Sequence, residues 1–232
     1  PIVNLSELYA TDIAKKNDRL TIGNLDLKPE KNNYFSLSAE YVHERFSVSV
    51  NAFYNNIRDM IDYNTIATGD KAMEQYGHKE VRQRDNIAEA KVHGINVSAN
   101  AYLGAGFNLS GGYTHLNTQD VELEQPIDKS IKNAYNINAQ WAHSWKIYRL
   151  NINLNGRINS KRFSKSYGYA PEYQLWDLNT RHSFNLKSVI IEPGCGMENL
   201  FDYMDDRPYN SNYATLTPGR SFYISLSLKF KS

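Results

Sequence analysis

The stretch that decides the fold is residues 150–158, which read L-N-I-N-L-N-G-R-I. Leu150, Ile152, Leu154 and Ile158 alternate there with asparagine and arginine. Successive side chains of a β-strand point to opposite faces of a sheet, so a period of two sorts them by polarity. Residues 150–158 therefore predict a strand with one apolar face and one polar face.

The same alternation recurs along the chain and predicts about nine strands. Ser221–Phe230 is the clearest repeat, because phenylalanine, isoleucine and leucine occupy every second position there. Two segments, near residues 174–185 and 189–200, alternate less regularly. The predicted strands are 35–41, 46–55, 95–101, 107–114, 135–141, 150–158, about 174–185, about 189–200 and 221–230. Phe53 is the one apolar residue on the polar face of its strand.

Strand length and loop length point to a membrane barrel. Several strands alternate over about ten residues, the length of a tilted membrane-spanning strand, whereas strands of soluble proteins average about 5–6. Short connections also alternate with long ones, as in outer-membrane barrels with short periplasmic turns and long extracellular loops. The short turns are predicted at 42–45, 103–106, 143–146 and 185–188, and the long loops at 58–86, 117–133, 160–174 and 202–219.

Composition excludes several other classes. The chain has 232 residues, with 26 Lys and Arg against 25 Asp and Glu, so its formal net charge is +1. Such a chain has no general field to attract nucleic acid, and we expect no nucleic-acid partner. Cys195 is the single cysteine, which excludes a disulfide framework. The mean hydropathy is -0.60 and no apolar run reaches the ~20 residues of a membrane helix.

Side chains on the two faces also fit a membrane barrel. None of the apolar-face positions in the clear strands carries a charge, whereas the opposite face is rich in asparagine and serine. Aromatic residues near strand ends are typical of the girdles that anchor barrels at the headgroup level. These residues are Tyr41, Tyr54, Tyr63, Tyr113, Trp141, Trp145 and Tyr148.

Short sequence boxes then point to a family. Residues 1–9 read P-I-V-N-L-S-E-L-Y and residues 23–31 read G-N-L-D-L-K-P-E-K. Residues 198–202 read E-N-L-F-D and 218–223 read P-G-R-S-F-Y, while residues 86–95 fit an N-x-A…G-hydrophobic pattern. In this order and spacing, these boxes resemble those of TonB-dependent outer-membrane receptors, with Leu25 where the family usually has proline. The resemblance covers essentially the whole chain.

The resemblance implies an all-β, antiparallel transmembrane barrel of about 22 strands filled by an N-terminal plug. Residues 1–232 would then be the C-terminal portion of the barrel, with about nine strands and without the plug. The implied function is active import, across the cell outer membrane, of a large scarce nutrient such as a siderophore, cobalamin or glycan. The implied partners are the TonB complex, reached through the missing N-terminal part, a small-molecule or glycan ligand, and outer-membrane lipid. No cofactor is implied.

Ligand contacts in such a barrel are expected from the external loops, because loops carry function on rigid scaffolds. Aromatic faces suit sugars, aryl siderophores and macrocycles. The candidate ligand-binding residues are Tyr167, Tyr169, Tyr173, Tyr203, Asp205, Arg207, Tyr209 and Tyr213. The alternative for each tyrosine is packing between loops, and the alternative for the charged residues is a solvated loop tip.

Other functions find less support in the sequence. Haem-type members tend to carry a histidine between the first two boxes, and residues 10–22 contain none. The six histidines form no metal-binding motif, so no metal site is predicted. An outer-membrane enzyme would need a nucleophile and base together, for which His115 near Asp120 is the nearest hint, and Cys195 is expected to be inert. A passive channel and a soluble β-rich binding domain remain as alternatives.

Overall fold

The computed structural model describes residues 8–9, 11–205 and 214–231. Strands dominate this part of the chain, and the helix α1 spans Gly69–Tyr76. The strands are β1 (Asp12–Ala14), β2 (Arg19–Ile22), β3 (Lys31–His43), β4 (Phe46–Thr68), β5 (Glu80–Gly104), β6 (Phe107–Asp120), β7 (Asn133–Trp145), β8 (Tyr148–Asn159), β9 (Arg162–Ser164), β10 (Gly168–Ala170), β11 (Tyr173–Asn185), β12 (Val189–Glu198) and β13 (Ser221–Phe230).

All nine predicted strands are confirmed. They correspond to β3 to β8 and β11 to β13, which lie in one eleven-stranded sheet with β1 and β2. Successive strands from β6 to β13 pair as antiparallel neighbours, apart from the small β9–β10 hairpin, which forms a sheet of its own. The predicted all-β antiparallel fold is therefore correct, and the short turns join one end of these strands.

The predicted apolar face is continuous across neighbouring strands. Leu154 of β8 lies opposite Ala139 of β7 and Leu178 of β11. On β13, Ile224 is 88 % exposed and Phe230 is 81 % exposed. Exposed large apolar side chains in a row are unusual for a surface in contact with water and suit a surface in contact with lipid. We call this surface the outward face and the opposite one the lumen face.

The lumen face is polar and internally hydrogen-bonded. Asn138 Nδ2 donates to Asn153 Oδ1 at 2.7 Å and to Asn155 Oδ1 at 2.6 Å. Phe53, the apolar exception, packs over Gly94, where an added Cβ would lie 3.1 Å from the Phe53 ring. A glycine therefore provides the space for the one aromatic ring that breaks the alternation of its strand.

Strands extend further than the alternation predicts. The predicted loop 58–86 is wrong in its bounds, because β4 runs to Thr68 and β5 begins at Glu80, with α1 between them. The helix ends where Gly77 adopts φ 71° and donates its backbone N–H to Met73 O, a left-handed cap that glycine adopts without strain. Backbone pairing between β4 and β5 does not need an apolar face, so the period-two signal fades before the strands end.

Two other connections also hold structure that the sequence did not predict. The predicted loop 160–174 contains the β9–β10 hairpin, in which Tyr169 lies opposite Phe163. The segment before β3 forms the β1–β2 hairpin, and β2 pairs in parallel with β5 from Arg19↔Glu80 to Ile22↔Gln83. These strands have three or four residues each, too short for a periodic pattern to show.

The chain divides into two compact units. The first contains residues 1–35, 54–92 and 118–126, and the second contains residues 36–53, 93–117 and 127–232. In the first unit, Leu27, Ala72, Val81 and Ala90 are buried apolar residues. In the second, Ala170, Leu175 and Ala214 are buried. Within each unit the buried apolar residues are few, as expected for a sheet that meets lipid and water rather than a second layer.

Aromatic rings gather where the short turns join β7, β8 and β11. The His143 and Trp145 rings are 4.4 Å apart, and Trp145 stacks on Tyr148 at 5.6 Å. Tyr148 Oη in turn lies 2.7 Å from His182 Nδ1. The predicted girdle is correct in placing aromatic residues at this end. It is wrong for Tyr54 and Tyr63, which lie inside the 23-residue strand β4, and for Tyr113, which lies in the middle of β6.

Close packing of Trp176 on Gly156 yields a first prediction. A Cβ added at Gly156 would lie 2.5 Å from the Trp176 ring. Gly156→Val is therefore expected to overpack this contact. We expect it to lower the free energy of unfolding of the full-length receptor by about 1–3 kcal/mol. Urea unfolding in lipid vesicles measures the loss. Adding Trp176→Leu should recover part of it, and no recovery in the double variant would contradict the packing explanation.

Candidate functional site at the long-connection end

Asn199, in the E-N-L-F-D box, ties together the long connection between β12 and β13. Its side chain is 2 % exposed. Its Nδ2 donates to Tyr203 O at 2.8 Å and to Pro218 O at 3.1 Å, and its Oδ1 accepts from Tyr203 N at 2.9 Å. Its backbone N–H donates to Asp177 Oδ1 of β11 at 2.9 Å. One buried amide therefore joins both ends of this connection and attaches it to the neighbouring strand.

Acidic residues of the same connection bind backbone rather than pointing freely to solvent. Asp202 Oδ1 accepts from Arg220 N at 2.6 Å, and Asp205 Oδ2 accepts from Ala214 N at 2.6 Å. Asp205, a predicted ligand-binding residue, thus closes the loop. Arg207, Tyr209 and Tyr213, also predicted, lie outside the described residues.

Tyr173 and Tyr203 are the two predicted residues that the structure brings together. Their ring centroids are 6.0 Å apart, and Asn159 Nδ2 donates to Tyr173 Oη at 2.6 Å. Both residues border a cavity of about 510 Å³. Its other lining residues are Asn133, Tyr135, Ile158, Asn159, Ser160, Glu172 and Gln174.

This cavity lies at the long-connection end of β7, β8 and β11. Tyr135 and Ile158 are register partners on the outward face, and Tyr135 stacks on Tyr113 with 4.7 Å between ring centroids. Asn133 shares that face, because its Oδ1 accepts from Tyr113 Oη at 2.9 Å. Gln174 lies opposite Ile158. By the same alternation, Asn159 and its register partner Tyr173 belong to the lumen face. The cavity is therefore lined from both faces.

Tyr167 and Tyr169 belong to the β9–β10 hairpin. Each is 55 % exposed, and the Tyr169 ring packs edge-on against Phe163 at 5.3 Å. The hairpin is attached to the connection before β7, because Lys129 N donates to Phe163 O at 2.9 Å and Phe163 N donates to Ser130 O at 3.0 Å. These two tyrosines are therefore available at the surface of an anchored hairpin.

Asn86 is a structural residue whose role the sequence did not show. Its Oδ1 accepts from Lys28 N at 2.7 Å, while its Nδ2 donates to Lys28 O at 2.9 Å and Asp59 O at 2.7 Å. Lys31 Nζ pairs with Asp59 Oδ2 at 2.9 Å. The G-N-L-D-L-K-P-E-K box and the N-x-A box are thus clamped to each other and to β4. The two boxes were recognisable in the sequence as motifs, but the contact between them could not be predicted from their spacing.

Asn86 carries a second prediction. Asn86→Asp should expose residues 24–30 of the full-length receptor to limited proteolysis, because a carboxylate oxygen would replace the donor that faces two carbonyl oxygens. We expect Asn86→Asp to increase cleavage there at least as much as Asn86→Ala does. Asn64→Ala is the control, since Asn64 is half-buried and has no side-chain partner among the described residues. Equal cleavage in all variants would rule out the clamp.

A contact between His78 and Asp18 joins the β1–β2 turn to the segment that follows α1 in the first unit. His78 Nδ1 lies 2.9 Å from Asp18 Oδ1, and Lys79 N donates to Asp18 O at 3.0 Å. The hydrogen bond from His78 lowers the pKa of Asp18 below its ordinary value. This pair therefore stabilises the folded loop above the ordinary carboxyl pKa, and the contribution is lost as the pH falls through the lowered pKa.

Among the described residues, the His, Cys, Asp and Glu side chains form no group of three that could hold a metal ion. His115 Nδ1 lies 2.8 Å from Asn133 Oδ1, and Asp120 Oδ1 accepts from Leu123 N at 3.1 Å. Each member of the only suggested catalytic pair thus has a structural partner. In the part of the chain described, no helix is long and apolar enough to cross a membrane.

Comparison with known proteins assigns the family. Residues 1–200 match the family model described as TonB dependent receptor-like, beta-barrel. The chain therefore belongs to the TonB-dependent receptor family, as a part of its β-barrel domain. This family consists of outer-membrane receptors and transporters.

Relatives and solved structures agree with this assignment. A probable TonB-dependent siderophore receptor, PiuA of Acinetobacter baumannii, is 28 % identical over 162 residues, which are 62 % of this chain and 21 % of PiuA. A variant of the ferric enterobactin receptor PfeA of Pseudomonas aeruginosa, solved with enterobactin, has a TM-score of 0.68 at 21 % identity, over 91 % of this chain and 33 % of PfeA. The copper transporter OprC has a TM-score of 0.67 at 13 % identity, over 99 % and 35 % of the two chains.

The chain thus spans about a fifth of the curated relative and a third of the solved receptors. Similarity to the solved structures at these identities shows the fold alone. The family assignment confirms the predicted resemblance, and the predicted ligand-binding residues stay predictions.

Proposed function

We propose that this chain is the C-terminal portion of an outer-membrane receptor that imports a large scarce nutrient, a ferric siderophore in particular, with energy supplied through TonB. The main support for this proposal is a long-stranded antiparallel sheet in a member of this family. One face of the sheet is exposed and apolar, and the other is polar. A plug and the TonB-contacting segment would precede Pro1 in the full-length protein.

Siderophore import is favoured over other cargo by the relatives. PiuA is described as a probable siderophore receptor, and PfeA was solved with enterobactin. In this chain, the exposed Tyr167 and Tyr169 offer aromatic surface at the anchored β9–β10 hairpin, and the loop closed by Asp205 offers Tyr203. We propose these loops, with Arg207, Tyr209 and Tyr213, as the ligand-binding surface.

Uptake of radioactive iron tests this function. Cells that lack the gene are complemented with the full-length receptor and supplied with ferric enterobactin as the first probe, followed by other ferric siderophores. Import that requires the receptor and stops when an uncoupler dissipates the inner-membrane proton gradient supports the proposal. Receptor-dependent uptake that continues with the uncoupler would instead establish a passive channel.

The ligand surface has its own test. Tyr167→Ala with Tyr169→Ala should weaken siderophore binding by about tenfold or more if both rings contact the ligand, given the size of aromatic contacts. Tyr102→Ala is the matched control, because Tyr102 lies near the short-turn end of β5 and is also exposed. Unchanged binding in the double variant would remove the hairpin from the ligand surface.

A further inference from the structure

The segment from residue 127 to residue 171 carries an excess of positive charge. It contains eight basic residues and a single acidic one, Asp128, although the formal net charge of the whole chain is only +1. Two of the eight, Lys146 and Arg149, lie by the short turn between β7 and β8. The other six lie towards the long connections, which is the end proposed to bind the ligand: Lys129, Lys132, Arg157, Lys161, Arg162 and Lys165.

The fold brings four of these basic residues onto one surface. Ile131 forms an antiparallel bridge with Arg162, and Lys129 N donates to Phe163 O at 2.9 Å, so the connection before β7 runs beside β9. Exposed lysines flank both of these paired segments. They are Lys129, Lys132, Lys161 and Lys165, which we call the basic hairpin surface.

The ammonium groups of these four lysines are available to a ligand. None of them has an ion-pair or hydrogen-bond partner among the residues that the structure describes. Asp128, the one carboxylate of this segment, is already engaged, because its Oδ1 accepts from Lys165 N at 2.9 Å. An anionic ligand can therefore pair with these ammonium groups without displacing a native partner.

Aromatic rings lie beside the charge. Tyr167 and Tyr169 follow Lys165 on the β9–β10 hairpin, and each is 55 % exposed. An aryl ring packs on tyrosine in offset-stacked or edge-to-face geometry, while a neighbouring lysine attracts negative charge. The surface therefore suits a ligand that is both aromatic and anionic.

We propose that the basic hairpin surface selects negatively charged ferric catecholates over neutral ferric hydroxamates. A catecholate is an aryl dianion, so three of them around ferric iron leave a net negative charge. Three hydroxamate monoanions instead balance the charge of the metal ion. Complementary charge of this kind favours one partner over another and speeds its association. The inference rests on the proposed function and narrows its substrate class.

Ligand binding to the purified full-length receptor, measured by quenching of its tryptophan fluorescence, tests the proposal. The probes are ferric enterobactin, a tris-catecholate, and ferrichrome, a neutral tris-hydroxamate. We expect the wild type to bind ferric enterobactin more tightly, and Lys161→Gln combined with Lys165→Gln to raise that Kd about tenfold at low ionic strength. Added salt should shrink this difference, because the Debye length falls from about 30 Å at 0.01 M to about 10 Å at 0.1 M.

Two control variants separate charge from structure. Lys161→Arg combined with Lys165→Arg keeps both charges and should bind ferric enterobactin as the wild type does. Lys146→Gln combined with Lys187→Gln removes the same amount of charge from exposed residues at the short turns. This variant should also bind ferric enterobactin normally.

Tighter binding of ferrichrome than of ferric enterobactin, or an unchanged Kd for ferric enterobactin in the glutamine variant, overturns the inference. Cellular iron uptake distinguishes this result from failure of the proposed function. Uptake from ferrichrome but not from ferric enterobactin would overturn the charge selection and leave the import function intact. Absence of receptor-dependent uptake from any ferric siderophore would overturn both.

Discussion

Leu154→Arg is expected to lower the free energy of unfolding of the full-length receptor by about 2–4 kcal/mol, the cost of a lipid-facing arginine near the bilayer midplane. Leu154 is central in β8 and lies between Ala139 and Leu178 on the outward face. An arginine there has neither water nor a carboxylate within reach on that face. Urea unfolding of the receptor from lipid vesicles measures the change.

Asn155→Arg is the matched control for this experiment. Asn155 is the next residue of the same strand, and its side chain accepts from Asn138 on the lumen face. It lies at almost the same depth as Leu154, so only the face differs between the two variants. We expect a loss for Asn155→Arg no larger than that of one hydrogen bond, about 1 kcal/mol. Equal losses at the two positions would mean that the apolar face does not contact lipid.

Asn199→Ala is expected to destabilise the connection between β12 and β13 by about 3 kcal/mol, since three side-chain hydrogen bonds are lost at about 1 kcal/mol each. The residue is almost fully buried, so water cannot easily replace the lost partners. The freed groups are Tyr203 N, Tyr203 O and Pro218 O. Hydrogen exchange of the full-length receptor should show reduced protection of the backbone amides of Tyr203 and Arg220.

Asn151→Ala is the corresponding control, because the Asn151 side chain has no hydrogen-bond partner among the described residues. It should leave exchange at Tyr203 unchanged. Asn199→Asp adds a sharper test, since it keeps the acceptor for Tyr203 N but removes the donors to two carbonyl groups. Protection in Asn199→Asp that equals the wild type would show that those donated bonds contribute nothing.

The long strands were predictable because each shows the alternation of apolar and polar residues within its own sequence. Residues 150–158 and 221–230 alternate apolar and polar side chains, and a strand between lipid and a wet lumen imposes that pattern on every residue. The part of β4 from residue 58 to Thr68 has no such pattern, so its residues were assigned to a loop. There, backbone hydrogen bonds with β5 stabilise the strand. Backbone hydrogen bonding does not depend on side-chain polarity, so the sequence pattern does not reveal it.

Site residues were less predictable, for a related reason. Tyr173 and Tyr203 were chosen because they are aromatic and lie in loops, and the structure brings them together through bonds made by Asn159 and Asn199. In the sequence, Asn86 and Asn199 were recognised only as members of motifs. Their function is to satisfy backbone groups that lie up to 58 residues away, and such partners follow from the folded path of the chain.

The order of residues along this chain was sufficient to specify its nine long strands, the apolar face of each, and its family, because period-two polarity and short motifs are local properties. The clamp at Asn86, the buried amide of Asn199 and the cavity beside Tyr173 were decided by tertiary structure alone. Each depends on the register between strands that are distant in sequence. A shift of one residue would turn Gln174 or Tyr135 to the opposite face.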